Sequence, residues 1–482
     1  MLFNSLHFVL FFPLVATAYF LLPHRFRWVL LLAASYYFYG SWSWKYLALL
    51  LLTTAVDWIA ALRIAASDRQ PKKRAWLIAS LVCNLGVLFT FKYFNFFIES
   101  AREAAAAWGL DIPYPGLELL LPVGISFYTF QSISYTVDVY RGLTPPQRHL
   151  GKYALFVAFF PQLVAGPIER SWHLMPQFDT PHKLDLTRIR SGALLMLVGF
   201  FKKLVIADRL ALYVDAVYNN PADYEGWPLI VATYFFAFQI YCDFSGYSDI
   251  AVGGARILGF DLMRNFKRPY FATSIVDFWH RWHISLSTWM RDYLYIPLGG
   301  NRATPRRVAM NLFIVFVLSG LWHGANWTFV VWGALHGGYI CIARYFEARR
   351  TPDPSPNAGS GPSTAATFLK VVVTFHLVLF AWIFFRADTL TNAYLIIIRA
   401  LEGLGASPLA IFDPIPVVEF WTGLFCVGLL LGLQYLEERG RPLEGRLNDS
   451  ARPLRWAVYC VLLLCVLFFG KFTSQQFIYF QF

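Results

Sequence analysis

Long apolar runs, separated by short polar or charged segments, occupy most of this chain of 482 residues. Most runs are close to the roughly 20 residues that an α-helix needs to cross the hydrocarbon core of a bilayer. The pattern predicts an all-α polytopic membrane protein with about 11–12 transmembrane helices. The predicted spans are 6–22, 28–44, 46–64, 76–98, 119–140, 191–212, 228–252, 308–323, 327–346, 367–386, 418–436 and 455–471.

Two further stretches, 151–168 and 271–300, are apolar or aromatic but are interrupted by proline, glycine and charge. Irregular backbone at membrane depth is tolerated only where protein or a wet cavity covers it, so we expect re-entrant or interfacial helices there. The segment 351–366 is rich in proline, glycine and serine, which predicts a flexible cytoplasmic linker. We expect one transmembrane domain over residues 1–482, with this linker inside it.

The composition is also that of a membrane protein, with 57% hydrophobic and 15% charged residues, whereas soluble domains have roughly 25% charged residues. The net charge of +12 falls between the spans, as expected for cytoplasmic loops, so we predict no nucleic-acid partner. The loops alternate in charge, and both termini are then predicted to be periplasmic. The basic, cytoplasmic loops are 63–74, 141–152, 256–268, 302–307, 344–350 and 437–455, and the loops poor in Lys and Arg are 99–118, 213–227 and 387–417.

The cysteines and the N-terminus refine the picture only slightly. The N-terminal MLFNSLHFVLFF lacks the basic region and the cleavage site of a signal peptide, so we expect a first span that is retained. The cysteines lie in apolar segments without CxxC or metal-ligand spacing, and we expect small core residues rather than a disulfide or a zinc site. They are Cys83, Cys242, Cys341, Cys426, Cys460 and Cys465.

The densest group of polar side chains in an apolar region is DFWHRWHISLSTWMRDYLYIPLGGNR, residues 277–302. Asp277 and Arg281 are four residues apart, the spacing of a helical ion pair. His280 and His283 are three apart, so we predict that they share a helix face with each other and roughly with Trp279. An amphipathic interfacial helix explains most of these residues as well as binding does. We nevertheless favour a functional role for His283, because an interfacial anchor does not need a histidine.

The second group is SGLWHGANWTFVVWGALHGG, residues 319–338, in which His323 lies where two glycines and Asn326 break the helix. A neutral histidine is an effective base near pH 7, and it can take the proton of a hydroxyl that attacks a thioester. We therefore predict a catalytic role for His323. A lone intramembrane histidine otherwise packs against a neighbouring helix, which is our interpretation of His336 and His376. Candidate substrate-binding or donor-binding residues of the two groups are Trp279, His280, Arg281, Arg291, Asp292, Tyr295, Arg302 and Asn326.

Two further groups have weaker patterns. Residues 239–253, QIYCDFSGYSDIAVG, place two carboxyl groups in an apolar span, where they must be paired, protonated or wetted. A structural network that lines a cavity and a catalytic dyad are both compatible with this pattern, and we favour the network. Residues 159–170, FFPQLVAGPIER, are typical of a re-entrant hairpin. The candidate network residues are Asp243, Ser245, Asp249 and Gln162, and the candidate partners of the carboxylates are Arg256, Arg281 and Arg291.

Together the four groups resemble the membrane-bound O-acyltransferase (MBOAT) family, in particular the bacterial branch around the alginate O-acetyltransferase membrane subunit and its relatives in peptidoglycan, cellulose and teichoic-acid modification. The resemblance covers nearly the whole chain. The strings that carry it are FPQLVAGPIER, YCDFSGYSDIAVGGARILGF, DFWHRWHISLSTWMRDYLYIPLGGNR, SGLWHGANWTFVVWGALHG and the closing FIYFQF, residues 477–482.

The resemblance implies a ring of tilted helices around a central cavity that narrows to a tunnel. His323 in LWHGANW matches the catalytic histidine of the family, and His283 in RWHISLS matches a second family histidine, often asparagine in other branches. The implied reaction moves an acyl group, commonly acetyl, from a cytoplasmic thioester to a hydroxyl reached from the periplasm. The acceptor is often a periplasmic SGNH or esterase-like acetyltransferase, which passes the group to a polysaccharide. The resemblance implies no bound cofactor or metal and a location in the bacterial inner membrane.

We expect the donor, acetyl-CoA or an acyl-carrier thioester, to enter at a basic mouth within residues 256–307. At His323 a hydroxyl could attack the thioester directly, or an acyl-histidine could form first, with His283 orienting His323 or polarising the carbonyl. A transporter or flippase for a donor or polysaccharide precursor, and a scaffolding subunit, are alternative functions. The identity of the acceptor and the acyl length stay open. The basic residues of the mouth are Arg264, Lys267, Arg268, Arg291, Arg302, Arg306 and Arg307.

Overall fold

The computed structural model describes residues 1–111, 113–114, 116–349, 364–472 and 477–478. The predicted linker at 351–366 therefore lies mostly outside the described residues, and so does most of the closing FIYFQF. All regular secondary structure in the described ranges is helical. The α-helices are α1 (Leu6–Leu21), α2 (His24–Gly40), α3 (Trp44–Ala65), α4 (Gln70–Leu88), α5 (Phe94–Ala106), α6 (Ile125–Arg141), α7 (Leu150–Ala158), α8 (Ser171–Asp179), α9 (Leu186–Phe200), α10 (Asp208–Tyr218), α11 (Trp227–Ile257), α12 (Ile275–Arg281), α13 (Ile284–Met290), α14 (Pro305–His323), α15 (Trp327–Arg349), α16 (Thr364–Arg386), α17 (Leu390–Glu402), α18 (Val417–Glu438), α19 (Leu443–Asp449) and α20 (Arg452–Phe469).

Seven helical stretches of the described chain are long and apolar enough to cross a membrane. The all-α, polytopic membrane fold is thus confirmed. The remaining predicted spans coincide with helices that are shorter or more polar: α1, α2, α6, α9 with α10, and α15. The seven stretches are Trp44–Ala65, Gln70–Ala106, Trp227–Ile257, Pro305–His323, Thr364–Arg386, Val417–Glu438 and Arg452–Phe469.

The span predicted at 119–140 begins later than expected, because α6 starts only at Ile125. Gly124, which precedes the helix, has a left-handed backbone with φ 77°. A Cβ at this position would lie 2.8 Å from the carbonyl oxygen of Leu163. A residue without a side chain is therefore needed where the two segments meet, and the left-handed backbone of Gly124 marks the N-terminal limit of the helix.

Both stretches predicted as broken helices are interrupted. In 151–168, α7 ends at Ala158 and a buried, irregular turn follows as far as Ile168. In 271–300, α12 and α13 each have seven residues. The irregular backbone of 159–168 is covered by protein, as it must be if it lies at membrane depth.

Two compact units make up the fold. The first contains Met1–Met196 and Tyr247–Met263, and the second contains Leu197–Gly246 and Arg264–Ile478. Within the first unit, α3, α4 and α6 pack against one another. Within the second unit, α14 and α15 form a helical hairpin, and α15 also packs against α12 and α16. Both histidines predicted to be functional belong to the second unit.

Three helical stretches contain a segment of π-helix, at Phe89–Tyr93, Phe201–Ala207 and Arg291–Tyr295. A π turn bonds residues five apart instead of four and accommodates one extra residue in the helix. The apolar pattern of the sequence does not reveal these segments, because both helix types remain apolar on the surfaces that face lipid or core.

The cysteines are less buried than predicted. Only Cys242 and Cys426 are buried, and Cys460 is exposed on the surface of the protein. The expectation of core positions was wrong for Cys460, because lipid tails are as apolar as a protein core and an apolar run does not distinguish the two environments.

Candidate active site

The hairpin of α14 and α15 is held together by glycines. A Cβ on Gly320 would overlap the carbonyl oxygen of Phe329, and a Cβ on Gly324 would overlap its ring. Gly333 approaches the carbonyl group of Phe316 equally closely. Only residues without a side chain allow such contacts. His323, the last residue of α14, is thereby fixed beside α15.

The ring of His323 lies in an aromatic enclosure, and the residue is only 4% exposed. The nearest ring centroids are those of Trp322 at 5.0 Å, Trp332 at 5.1 Å and Phe385 at 5.3 Å. All three contacts are edge-on, the arrangement in which the positive edge of one ring meets the negative face of another. The structure therefore places His323 in a buried environment lined by aromatic rings.

His283 occupies an unusual backbone conformation between α12 and α13. Its φ of 42° lies in the left-handed region, which costs a residue other than glycine about 1–3 kcal/mol. Asn265 supports the turn, because its carbonyl oxygen accepts from the backbone N–H of Ile284 at 3.0 Å. The Oδ1 atom of Asn265 accepts from the N–H of Ser285 at 3.3 Å. Such strain, held by surrounding contacts, is typical of functional positions.

The rings of His283 and His323 lie next to each other, with centroids 6.3 Å apart and planes at 60°. His283 is fully buried. Phe244 contacts its ring at a centroid distance of 4.7 Å, and Trp322 at 5.8 Å. Two imidazoles in one enclosure could supply a base and a second hydrogen-bonding group to the same substrate.

His280 does not share a helix face with His283. The helix α12 ends at Arg281, and the left-handed residue redirects the chain, so that His280 is exposed whereas His283 is buried. The prediction of a shared face was wrong because it assumed an uninterrupted helix. The ion pair between Asp277 and Arg281 is confirmed, with Nε and Oδ1 2.8 Å apart.

A second aromatic layer lies behind His323. The ring of Trp332 contacts both His323 and His336. Trp279 donates its indole N–H to Nδ1 of His336 across 3.3 Å. His336 is fully buried, and Nδ1 therefore acts as an acceptor, as in a neutral imidazole. These contacts agree with the predicted packing role of this histidine.

His376 also has the partners of a packing histidine. The Tyr234 hydroxyl lies 2.6 Å from Nε2, and the Val372 carbonyl oxygen lies 2.7 Å from Nδ1. Nδ1–H can donate to that carbonyl while Nε2 accepts from the hydroxyl.

The basic residues predicted to bind the donor fall into two classes. Arg268 and Arg281 both bind Glu438, at 2.6 Å and 3.0 Å. Arg291 pairs with its neighbour Asp292 at 2.7 Å. Acidic side chains of the protein thus already engage these three arginines. The other members of the basic mouth are exposed: Arg264, Lys267, Arg302, Arg306 and Arg307.

Two other predicted binding residues have partners within the protein. The hydroxyl of Tyr295 donates to Oδ1 of Asn301 at 2.6 Å. Asn326 accepts from the N–H of Thr328 at 3.0 Å, which caps the start of α15. Its Nδ2 donates to the carbonyl oxygen of Asp388 at 2.8 Å. Asn326 therefore ties the α14–α15 turn to the end of α16.

Lys203 is a buried charged residue that the sequence reasoning missed. Its ammonium group forms ion pairs with Asp243 and, at 2.8 Å, with Asp208. Asp243 also accepts from the N–H of Ile478 at 2.8 Å. The partner of Asp243 is thus a lysine and not one of the arginines proposed from the sequence. The sequence feature that could have revealed Lys203 is the pair of adjacent lysines in the apolar run GFFKKLV.

The other predicted network residues are in different settings. Ser245 is buried and Asp249 is half-buried. Gln162 is a residue of the first unit, and its Nε2 donates to the carbonyl oxygen of Phe156 at 3.1 Å, which braces the turn after α7. A common role of these residues in lining a cavity stays a prediction.

Comparison with known proteins gives relatives over most of the chain. The family described as MBOAT, membrane-bound O-acyltransferase family, matches residues 147–385. The probable alginate O-acetylase AlgI of Azotobacter vinelandii is 44% identical over 82% of this chain and 77% of its own length. The peptidoglycan O-acetyltransferase of Helicobacter pylori is 37% identical over 78% of this chain and 73% of its own. The teichoic acid D-alanyltransferase of Bacillus subtilis is 29% identical over 56% of this chain and 70% of its own length.

Proposed function

Because this chain belongs to the membrane-bound O-acyltransferase family, we propose that it transfers an acetyl group from a cytoplasmic thioester to a hydroxyl group of a periplasmic polysaccharide. The names of the alginate O-acetylase and peptidoglycan O-acetyltransferase relatives support the acetyl group and the polysaccharide acceptor. The observation that carries the proposal is the buried pair of His283 and His323, with ring centroids 6.3 Å apart.

In this proposal His323 is the general base. A ring nitrogen takes the proton of the acceptor hydroxyl while the oxygen attacks the carbonyl carbon of the thioester. The tetrahedral intermediate collapses, the C–S bond breaks, and the departing thiolate receives the proton from the imidazolium. The products are an ester and a thiol, so the reaction balances without a further reactant. The aromatic walls support this role, because they exclude water that would hydrolyse the donor.

His283 would act on the same intermediate. It could donate a hydrogen bond to the carbonyl oxygen, where negative charge develops during the attack. It could instead orient the ring of His323. An acyl group carried transiently on His323 is an alternative to direct attack, and both schemes use the same two residues.

The donor would bind through its phosphate groups at the exposed basic residues of the mouth. A guanidinium group donates two parallel hydrogen bonds to phosphate, which suits both coenzyme A and the phosphopantetheine of a carrier protein. Arg268 and Arg281 are less suited than Arg302 and Arg306, because Glu438 already engages the first two.

The acceptor would arrive from the periplasmic side. We propose an esterase-like acetyltransferase as the partner that receives the group and passes it to the polymer, with both termini of this chain on that side of the bacterial inner membrane. The alternation of basic and acidic loops supports this orientation. A cysteine-accessibility map with a membrane-impermeant reagent, applied to variants with a cysteine in loops 63–74 and 387–417, tests it. Labelling of the first loop rather than the second in intact cells would contradict it.

The decisive experiment replaces His323 with glutamine in protein reconstituted into liposomes with a labelled acetyl thioester and a hydroxyl acceptor. We expect transfer to fall by about 100-fold or more, the usual contribution of a general base. His376→Gln is the matched control, because His376 is an exposed histidine of α16 that bonds to Tyr234. Wild-type transfer by correctly inserted His323→Gln protein would refute the assignment. Passage of the intact donor through the wild-type membrane without ester formation would favour the transporter alternative.

A further inference from the structure

The side chain of Phe385 covers His323 near the end of α16. Phe385 is buried, and its ring centroid lies 5.3 Å from that of His323 and 5.2 Å from that of Trp332. Three residues later the chain reaches the protein surface, since the side chain of Asp388 is 66% exposed. His323 itself is the last residue of α14, and the half-exposed Asn326 follows it by three residues. Both segments of the enclosure therefore lie within three residues of an exposed or half-exposed position.

The segment 385–388 is held in place from two directions. Arg386 donates from Nη2 to Oδ1 of Asp215 at 2.8 Å and to Oδ1 of Asn219 at 2.9 Å. Asn326 donates to the carbonyl oxygen of Asp388 at 2.8 Å. The first set of contacts joins the segment to the end of α10, and the second joins it to the α14–α15 turn. A movement of the backbone that carries Phe385 away from His323 would loosen at least one of them.

We propose that this segment is the gate through which the acceptor reaches His323, with Phe385 as the closing side chain and Arg386 as the positioning residue that holds it. The proposal rests on the function proposed above. Partly exposed ion pairs contribute little to stability, so a docking acceptor could displace the contact of Arg386 with Asp215. Movement of the released segment would then carry the Phe385 ring away from His323 and open a path from the surface to the imidazole.

The gate has a readout that does not depend on catalysis. Diethyl pyrocarbonate acylates neutral imidazoles that it can reach, and peptide mass spectrometry gives a rate for each histidine. We expect slow labelling of His323 in the wild type, and labelling about tenfold faster in Asp215→Asn and in Phe385→Ala. His280, which is exposed, serves as the internal reference in each sample. The matched control is Asp261→Asn, which removes an exposed ion pair with Arg188 in the first unit.

The same variants are then assayed for transfer. An open gate should lower the KM for the acceptor and raise the hydrolysis of the donor in the absence of acceptor several-fold. A merely structural defect would lower kcat and leave the ratio of transfer to hydrolysis unchanged. Arg386→Lys keeps the positive charge, so the labelling rate of His323 in this variant should lie between those of the wild type and of Asp215→Asn. Unchanged labelling of His323 in both Asp215→Asn and Phe385→Ala would overturn the proposal. Faster labelling combined with full activity of His323→Gln would leave the gate intact and refute the proposed function instead.

Discussion

Asn265 fixes the backbone that carries His283, since its carbonyl oxygen and its side-chain oxygen accept from the two residues that follow the histidine, at 3.0 Å and 3.3 Å. Loss of the side-chain acceptor leaves a buried N–H without its bond, which costs about 1–3 kcal/mol. In Asn265→Ala we expect the kcat of acyl transfer to fall at least tenfold with little change in the donor KM. Asn265→Asp keeps the acceptor oxygen and should retain most activity. Equal losses in both variants would contradict a positioning role.

The glycine contact between α14 and α15 predicts a stability effect. In Gly320→Ala the new methyl group meets the carbonyl oxygen of Phe329, so the helices must separate at a cost of about 1–3 kcal/mol. We expect a lower Tm in detergent, measured by intrinsic fluorescence, and reduced activity. The control is Gly338→Ala on α15, where a Cβ has no heavy atom within 4 Å. Similar Tm values for the two variants would argue against close backbone packing.

Removal of the buried lysine should be among the most damaging single changes. Lys203→Met leaves Asp208 and Asp243 without their cation in a buried site, and breaking a buried pair from one side typically costs about 3–5 kcal/mol. We expect little folded protein in fluorescence-detected size-exclusion chromatography. The double variant Lys203→Met with Asp243→Asn should recover part of the yield, because one uncompensated charge is removed. An unchanged yield for the single variant would show that the ion pairs contribute little.

The basic mouth predicts an effect on donor binding alone. Arg302→Glu and Arg306→Glu should each raise the KM for a phosphate-bearing thioester several-fold without lowering kcat, and salt should reduce the difference, because ions screen exposed charges. Arg441→Glu, which changes an exposed arginine after α18, is the control. An effect of equal size in the control, or no effect on KM, would move the donor site elsewhere.

A partly buried pair outside the spanning helices, His173 and Glu169, predicts a pH dependence. His173 bonds through Nδ1 to Oε2 of Glu169 at 2.7 Å, and this hydrogen bond raises the pKa of His173. The stability gained from the protonated ring is complete below the unfolded value of about 6.5 and is lost as the pH rises through the raised pKa. The Tm difference between wild type and His173→Gln should therefore be largest below about pH 6.5 and shrink as the pH rises through the raised pKa. A constant difference would show that the pair acts without titration.

The length and spacing of apolar runs predicted most helices correctly, because each helix that faces lipid must be apolar over its whole length. The span predicted at 46–64 is α3, Trp44–Ala65, and the span at 418–436 is α18, Val417–Glu438. The start of α6 at Ile125 directly follows the left-handed Gly124. Pro122 and Gly124 were a local signal for this boundary that the length of the apolar run concealed.

In the candidate site, too, local sequence patterns predicted some features, whereas others depend on contacts between distant residues. The ion pair of Asp277 with Arg281 followed from their spacing, since four residues make one helical turn. The glycines around His323 indicated a special position, and the structure explains them by backbone packing. The left-handed conformation of His283 could not be predicted from the sequence, because contacts with Asn265, a residue of another segment, support it. The pairing of Asp243 with Lys203 is likewise a tertiary contact between two helices.

The π segment at Phe201–Ala207 determines which changes of chain length this region can tolerate. Lys203 and Asp208 are five residues apart, and in a regular α-helix they would point about 140° away from each other. The wider π turn brings the two side chains to the same side of the helix, where they form their ion pair at 2.8 Å. Deletion of a single residue between them would restore an ideal helix and leave the two residues four apart, a spacing at which an α-helix still places them on one face. A homologous chain that is one residue shorter in this segment should therefore keep both the helix and the ion pair.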